Sequence, residues 1–137
     1  MHTYVTIQGE DYDIETTFSL NLYGCDITDE DVVNIGRLKN FRELYLSSNS
    51  IDDITPLSGL TNLTNLNLGH SDRISDLTPL EGLINLTDFD LAFTKIDDIK
   101  PLAKLNNLTM VVLRGCGIGE TDSEWLKAQL PDCNIIL

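Results

Sequence analysis

The chain has 137 residues, of which 42% are hydrophobic and 23% charged, so it is long enough for one domain with a core. Nine Lys and Arg residues against 22 Asp and Glu residues give a net charge of −13. Nucleic acids and anionic membranes attract positive charge, so neither is an expected partner. A basic protein is a partner that this charge permits, although acidity also serves solubility alone.

Targeting signals are not visible in the sequence. The first 20 residues hold no uninterrupted apolar segment of the kind found in a signal peptide. No run of about 18 apolar residues, the length needed to span a membrane, occurs anywhere. The missing signal favours a cytoplasmic location, unless the chain is a piece of a secreted or surface protein.

Residues 1–16 are predicted to form an N-terminal cap. Polar and apolar side chains alternate from Thr3 to Ile7, Gln8 to Asp11 supplies a turn, and Tyr12 to Ile14 follows as a second short segment. This pattern is typical of a β-hairpin.

A unit of 22 residues then occurs three times between Phe41 and Asn107. In its first copy, Leu44 and Leu46 alternate with outward positions, which predicts a short strand with two leucines in the core. Pro56 lacks an N–H and suits the start of a short 3₁₀ segment on the opposite side of the coil. One coil cannot bury its apolar side chains alone, whereas stacked coils share an interior. The repetition therefore predicts a solenoid built around a parallel sheet.

Two further coils follow the repeat pattern less closely, so about five coils occupy residues 17–120. The coil from Thr17 to Asn40 is longer, and its Thr28 and Asp31 have the spacing of a capping box, which predicts a true helix. The last coil begins at Leu108 and then departs from the pattern.

Residues 121–137 are predicted to form a C-terminal cap. Thr121 to Glu124 has the spacing of a capping box, and Pro131 ends the helix. Asn134 to Leu137 is predicted to be a last short strand. We expect the helix to close the solenoid with an apolar stripe of Trp125, Leu126 and Leu130. Trp125 should cover the last coil.

The spacing L-x-x-L-x-L-x-x-N-x-I is that of leucine-rich repeats, and Thr17 to Leu137 resembles the 22-residue repeats of bacterial internalin-like proteins. The segment Trp125 to Cys133 is similar to the terminal caps of such arrays. The resemblance implies an α/β solenoid in a single domain over residues 1–137. Its curved parallel sheet would carry short 3₁₀ or helical segments on the convex side, with a β-hairpin cap at one end and a helix–strand cap at the other. It also implies protein binding on the concave sheet face.

The buried polar position of the repeat departs from that family. An asparagine there satisfies backbone groups of neighbouring coils, but in this chain the position holds Cys25, Asn49, Ser71, Thr94 and Cys116. We therefore expect fewer hydrogen bonds between neighbouring coils at this position than in that family.

Three cysteines do not make a disulfide framework. Cys25 and Cys116 lie four coils apart, which leaves Cys116 with Cys133 as the one pair open to bridging, whereas an intracellular chain favours three reduced thiols.

No catalytic, cofactor or metal site is predicted, and we expect no enzyme activity. His70 should face outward while the cysteines face inward, so no Cys–His pair forms. The acids that recur at the coil edges lack the pattern of a calcium loop; they are Asp52, Asp53, Asp76, Asp97 and Asp98. Glycosylation sequons begin at one repeated position, so repetition explains them; they begin at Asn62, Asn85 and Asn107.

The outward strand residues are the informative surface, because aromatic residues and Arg anchor interfaces. We expect a monomeric, non-enzymatic module that binds another protein on its concave face. The alternative is an acidic intracellular inhibitor or immunity-type protein that neutralises a basic toxin or enzyme; strong weakening by salt would favour it. The predicted partner-binding residues are Tyr23, Glu43, Tyr45, His70, Asp88, Asp90, Phe93, Met110, Val112 and Arg114.

Overall fold

A computed structural model describes residues 3–137, so Met1 and His2 of the predicted N-terminal cap lie outside the described residues. The chain begins with an antiparallel hairpin of β1 (Tyr4–Ile7) and β2 (Glu10–Asp13). Gln8 and Gly9 form its turn with positive φ angles of 52° and 84°, as a two-residue hairpin turn requires. The expected hairpin is confirmed.

The hairpin covers the first coil of the solenoid. Val5 and Ile7 are buried in the main hydrophobic core, and Gln8 Nε2 donates a hydrogen bond of 2.6 Å to the carbonyl oxygen of Cys25. The open end of the stacked coils is thereby shielded from water.

Each coil contributes one short strand to a parallel sheet. The strands are β3 (Ser19–Asn21), β4 (Glu43–Tyr45), β5 (Asn65–Asn67), β6 (Asp88–Asp90), β7 (Met110–Val112) and β8 (Asn134–Ile136). They pair in sequence order as six neighbouring strands. The register aligns one inward side chain per strand into a column through the core, which consists of Leu20, Leu44, Leu66, Phe89, Val111 and Ile135.

The convex side of three coils consists of 3₁₀ segments at Thr55–Gly59, Thr78–Leu80 and Lys100–Lys104, each with a proline in its first turn. The carboxylate two residues before each segment accepts a hydrogen bond of 2.9 Å from its first backbone N–H. Hydrogen bonds from the side chain and the backbone N–H of Thr55 and of Thr78 lower the pKa of Asp53 and of Asp76, respectively, below the ordinary value of 3.8. Asp53, Asp76 and Asp98 therefore close turns.

The first coil carries a true helix instead, α1 (Asp29–Ile35), and its capping box of Thr28 with Asp31 is confirmed. Val32 and Ile35 face the core and are fully buried.

The polar position of the repeat differs from coil to coil. Asn49 links two coils, because its Nδ2 donates to the carbonyl oxygens of Leu22 and Leu46 at 2.9 Å each and its Oδ1 accepts from Ile27 N at 2.8 Å. Thr94 Oγ1 donates to the carbonyl oxygen of Leu91 in its own coil at 2.7 Å and lies within hydrogen-bond distance, 3.4 Å, of Cys116 Sγ in the next coil. Ser71 Oγ is buried and has no partner among residues 3–137.

The predicted capping box at Thr121 is wrong. The C-terminal helix α2 (Glu120–Gln129) begins one residue before Thr121, and its N-cap is Gly119, which has no side chain to cap it. Ser123 lies inside the helix, where its Oγ donates to the carbonyl oxygen of Glu120 at 2.9 Å.

Trp125 is less buried than the predicted apolar stripe requires, because its side chain is 37% exposed. Leu126 and Leu130 close the core, at 0% and 5% exposure. Consecutive helix residues point roughly 100° apart, so a helix that buries Leu126 turns Trp125 toward solvent.

A bridge between Cys116 and Cys133 is excluded by the strand register. Asn134 N donates to the carbonyl oxygen of Thr109, which places Cys133 beside the start of β7, whereas Cys116 follows the end of β7. At about 3.3 Å per residue, the strand from Thr109 to Leu113 alone separates them by roughly 13 Å. All three thiols are free and half-buried.

Within residues 3–137, neither helix is both long and apolar enough to cross a lipid bilayer.

Candidate functional site

The outward face of the sheet, called here the concave face, carries two rows of side chains. Parallel register brings equivalent residues of neighbouring strands side by side. The first row is Ser19, Glu43, Asn65, Asp88, Met110 and Asn134, and the second row is Asn21, Tyr45, Asn67, Asp90, Val112 and Ile136.

A depression of about 190 Å³ lies in the middle of the concave face. Asp88 and Asp90 of β6 stand on the same side of the strand, with Tyr45 on one side and Met110 and Val112 on the other. These five side chains are half-buried. The depression therefore combines two carboxylates with aromatic and apolar walls.

Tyr45 experiences this environment directly. Burial raises the pKa of Tyr45 above its ordinary value of 10.0, and the carboxylates of Glu43 and Asp88 raise it further. The phenol therefore stays neutral at physiological pH, beside negative charge.

Three side chains of the second row have a local structural role. The side-chain oxygens of Asn21, Asn67 and Asp90 accept a hydrogen bond from the backbone N–H two residues later, at 3.1, 2.9 and 2.9 Å. Such Asx turns guide the chain out of the strand. Tyr45 and Val112 occupy the same row without that role, so their side chains are free for contacts.

A ridge with positive φ angles borders the concave face after the strands. At one equivalent position in every coil the residue has this left-handed conformation, with φ between 57° and 73°, and these five residues are Gly24, Ser48, His70, Phe93 and Gly115. A bulky residue rarely adopts it. Phe93 does so with φ 58° while its side chain remains 47% exposed.

The rings of His70 and Phe93 are stacked, with centroids 4.8 Å apart and an angle of 23° between their planes. A neighbouring concavity of about 400 Å³ is lined by both rings together with Asp72. The stack forms an exposed aromatic surface at the edge of the face.

The predicted binding residues fall into three groups. Tyr45, Asp88, Asp90, Met110 and Val112 meet in the depression, with Glu43 beside them in the first row. His70 and Phe93 form the edge stack. Tyr23 and Arg114 are exposed in the first and last coils and line neither concavity.

Sequence reasoning did not include Asn65 and Asn67 among the binding residues, although both line the depression. Their position in the outward rows was visible in the repeat. Their polar, uncharged side chains gave no further signal.

A larger concavity, about 650 Å³, lies at the opposite edge, before the strands. Its threonines and asparagines link successive coils. Thr87 Oγ1 donates to the carbonyl oxygen of Thr64 at 3.2 Å, and Asn85 Nδ2 donates to the carbonyl oxygen of Thr61 at 2.8 Å. These bonds give the repeated sequon positions a structural explanation.

Comparison with known proteins agrees with this architecture. Residues 39–82 match a family model described as Leucine Rich repeats (2 copies). A leucine-rich repeat protein of Leptospira interrogans is 25% identical, with a TM-score of 0.70 over 77% of this chain. Internalin C2 of Listeria monocytogenes is also 25% identical, with a TM-score of 0.64 over 89% of this chain. The chain is similar to leucine-rich repeat proteins, internalins among them.

A third structure, an internalin F of Listeria monocytogenes, has the same fold at 21% identity, with a TM-score of 0.57 over 93% of this chain. This chain spans only 27%, 62% and 50% of these three structures, in the order given. No curated protein sequence matches it. Its relationship to leucine-rich repeat proteins indicates a protein–protein interaction module.

Residues 3–137 of the leucine-rich repeat chain contain no group of three or more His, Cys, Asp or Glu side chains arranged to hold a metal ion.

Proposed function

We propose that this leucine-rich repeat chain is a monomeric, non-enzymatic module that binds a protein partner on its concave face. Residues 17–120 supply the binding surface, and the two terminal segments act as caps of a single domain. The observation that carries the proposal is the depression lined by Tyr45, Asp88, Asp90, Met110 and Val112.

The concave face has the composition of an interface. Interface cores are enriched in Tyr, Phe and Met, and a few such residues dominate the binding energy. Tyr45 and Met110 are half-buried in the depression, and Phe93 lies with His70 at the edge of the concave face. The backbone of Phe93 has a strained, positive φ angle although the side chain is exposed. Such strain is typical of functional positions.

Site-specific photocrosslinking tests the proposal before any partner is known. A photoreactive phenylalanine analogue is placed at Tyr45 in one variant and at Ile84 in the other. Ile84 is an exposed hydrophobic residue at 56% exposure, and it lies outside the concave face. After irradiation in the source cells, we expect discrete adducts from position 45 alone. Adducts from position 84 alone would show that the concave face is not the binding site.

Once the partner is identified, Tyr45→Ala and Phe93→Ala should each weaken binding by about thirtyfold or more, because each removes an anchor of roughly 2 kcal/mol or greater. Ile84→Ala is the matched control and should leave the affinity unchanged. Melting temperatures measured beside the affinities distinguish a lost contact from a lost fold.

A further inference from the structure

We propose that the depression on the concave face receives one arginine side chain of the partner, between Asp88 and Asp90 and against Tyr45. This inference rests on the proposed function, because it assumes that the concave face is the binding surface. It specifies the partner as a protein that presents an exposed arginine.

The first argument is charge complementarity across the whole face. The twelve outward positions of the six strands hold three carboxylates, on Glu43, Asp88 and Asp90, and neither Lys nor Arg. Among residues 3–137, no cation forms an ion pair with any of the three. A cationic group from another molecule would supply the missing charge.

The neighbours of the two aspartates are neutral donors. Asp88 accepts from Thr109 Oγ1 at 3.2 Å and from Asn65 Nδ2 at 3.5 Å. Asp90 uses Oδ1 to accept from Ala92 N at 2.9 Å, and its Oδ2 has no hydrogen bond within the described part of the chain. Both carboxylates therefore keep acceptor capacity toward the depression.

The second argument is the shape and lining of the site. A volume of about 190 Å³ suits a single side chain, not a helix or a strand. The ring of Tyr45 offers a flat surface for a guanidinium group, and Met110 with Val112 offers apolar contacts for the methylene groups of its stem.

Arginine fits this arrangement better than lysine. Asp88 and Asp90 are two residues apart on one strand, so their α-carbons are separated by roughly 6.6 Å. The planar guanidinium has five donors in a rigid fork and can serve two separated carboxylates at once, whereas an ammonium is a compact point charge. The guanidinium also stacks on aromatic rings.

The test uses three capped tripeptides as probes, Ac-Gly-X-Gly-NH₂, with X as arginine, lysine or citrulline. Citrulline has nearly the shape of arginine but no charge. Each peptide is titrated into ¹⁵N-labelled protein and followed by amide chemical shifts. We expect saturable shifts at Asp88, Asp90 and Val112 with the arginine peptide, weaker shifts with lysine and none with citrulline.

A matched pair of charge variants locates the effect. Asp88→Asn with Asp90→Asn makes β6 resemble β5, where Asn65 and Asn67 already occupy the equivalent positions and Asn67 forms the same turn. This variant should bind the arginine peptide about tenfold more weakly. The control, Asp52→Asn with Asp97→Asn, removes the same charge from two exposed edge residues and should not change binding.

Equal effects of the two double variants would show that only the overall charge of −13 attracts the peptide, and would overturn the proposal. Binding of the citrulline peptide as strong as that of arginine, or no shifts at about 10 mM peptide, a concentration above a millimolar Kd, would overturn it too. If Tyr45 crosslinks to a partner but the arginine peptide does not bind, the arginine contact is rejected and the proposed binding face still stands. If neither the crosslinking nor the titration gives the expected result, the binding face and the arginine contact are both rejected.

Discussion

The aromatic ring of Phe93 lies against the backbone of Gly115, one coil later. A Cβ atom on Gly115 would lie 2.4 Å from Phe93 Cδ1, so the glycine provides the space that the exposed ring occupies. Gly117 has almost the same φ, 72° compared with 73°, but no heavy atom lies within 4 Å of its Cβ position. Substitutions at the two glycines therefore distinguish the cost of backbone strain from the cost of a steric clash.

Gly115→Ala should destabilise the protein more than Gly117→Ala. Both variants place a side chain in the left-handed region, at a cost of about 1 kcal/mol, but only Gly115→Ala also displaces the ring, at a further cost of about 1–2 kcal/mol. Chemical denaturation measures both. Adding Phe93→Ala to Gly115→Ala should recover the extra loss, and a double-mutant cycle without coupling would contradict the contact.

Ser71→Asn should stabilise the protein by about 1 kcal/mol. By the geometry of Asn49, the new amide would donate to the carbonyl oxygens of Leu46 and Leu68 and accept from Ile51 N, so an unpaired buried hydroxyl is replaced by a satisfied side chain. The melting temperature measures the change. Ser50→Asn, at an exposed position, is the control, and a lower melting temperature for Ser71→Asn would show that the slot lacks room.

Gly36→Ala should be among the most harmful single substitutions, at about 3 kcal/mol. A Cβ there would lie 2.2 Å from the carbonyl oxygen of Pro56. The backbone on both sides is fixed by packing of α1 against the first 3₁₀ segment, so neither side yields easily. Gly82→Ala, with no atom within 4 Å of its Cβ position, should change stability by less than about 0.5 kcal/mol. Similar urea midpoints for both variants would refute the close approach.

The acidic turns predict a pH dependence of stability. Asp53 and Asp76 have a folded pKa below the ordinary value of 3.8, so their contribution is complete above that value and is lost as pH falls through the folded pKa. Asp53→Asn with Asp76→Asn retains an acceptor that does not titrate. As pH falls from about 4 to about 2, the stability of this double variant should therefore rise relative to that of the native sequence. Parallel pH profiles of the melting temperature would contradict this role.

Leu126→Ala should destabilise the C-terminal cap by about 2–5 kcal/mol, because its side chain is fully buried in the core. Trp125→Ala should cost less than Leu126→Ala, because the indole is 37% exposed and its removal leaves no enclosed cavity. Unfolding followed by circular dichroism compares the two variants. A larger loss for Trp125→Ala would show that the tryptophan does cover the last coil.

The sequence by itself determined the solenoid, the parallel strands and the 3₁₀ segments. A repeat of 22 residues with alternating leucines allows one register in which every coil buries its apolar side chains. The capping box of Thr28 with Asp31 was equally predictable, because both partners lie within one helical turn. The outward rows of the candidate site followed from the same alternation.

Only the tertiary structure decided the features that depend on contacts between coils. The packing of α2 buries Leu126 and leaves Trp125 partly exposed, and the register of β8 places Cys133 far from Cys116. The contact of Phe93 with Gly115 joins residues in different coils, and no local pattern encodes how closely they approach. Periodicity specifies which side of the chain faces the core, whereas the relative rotation and spacing of packed elements arise from the sum of many contacts.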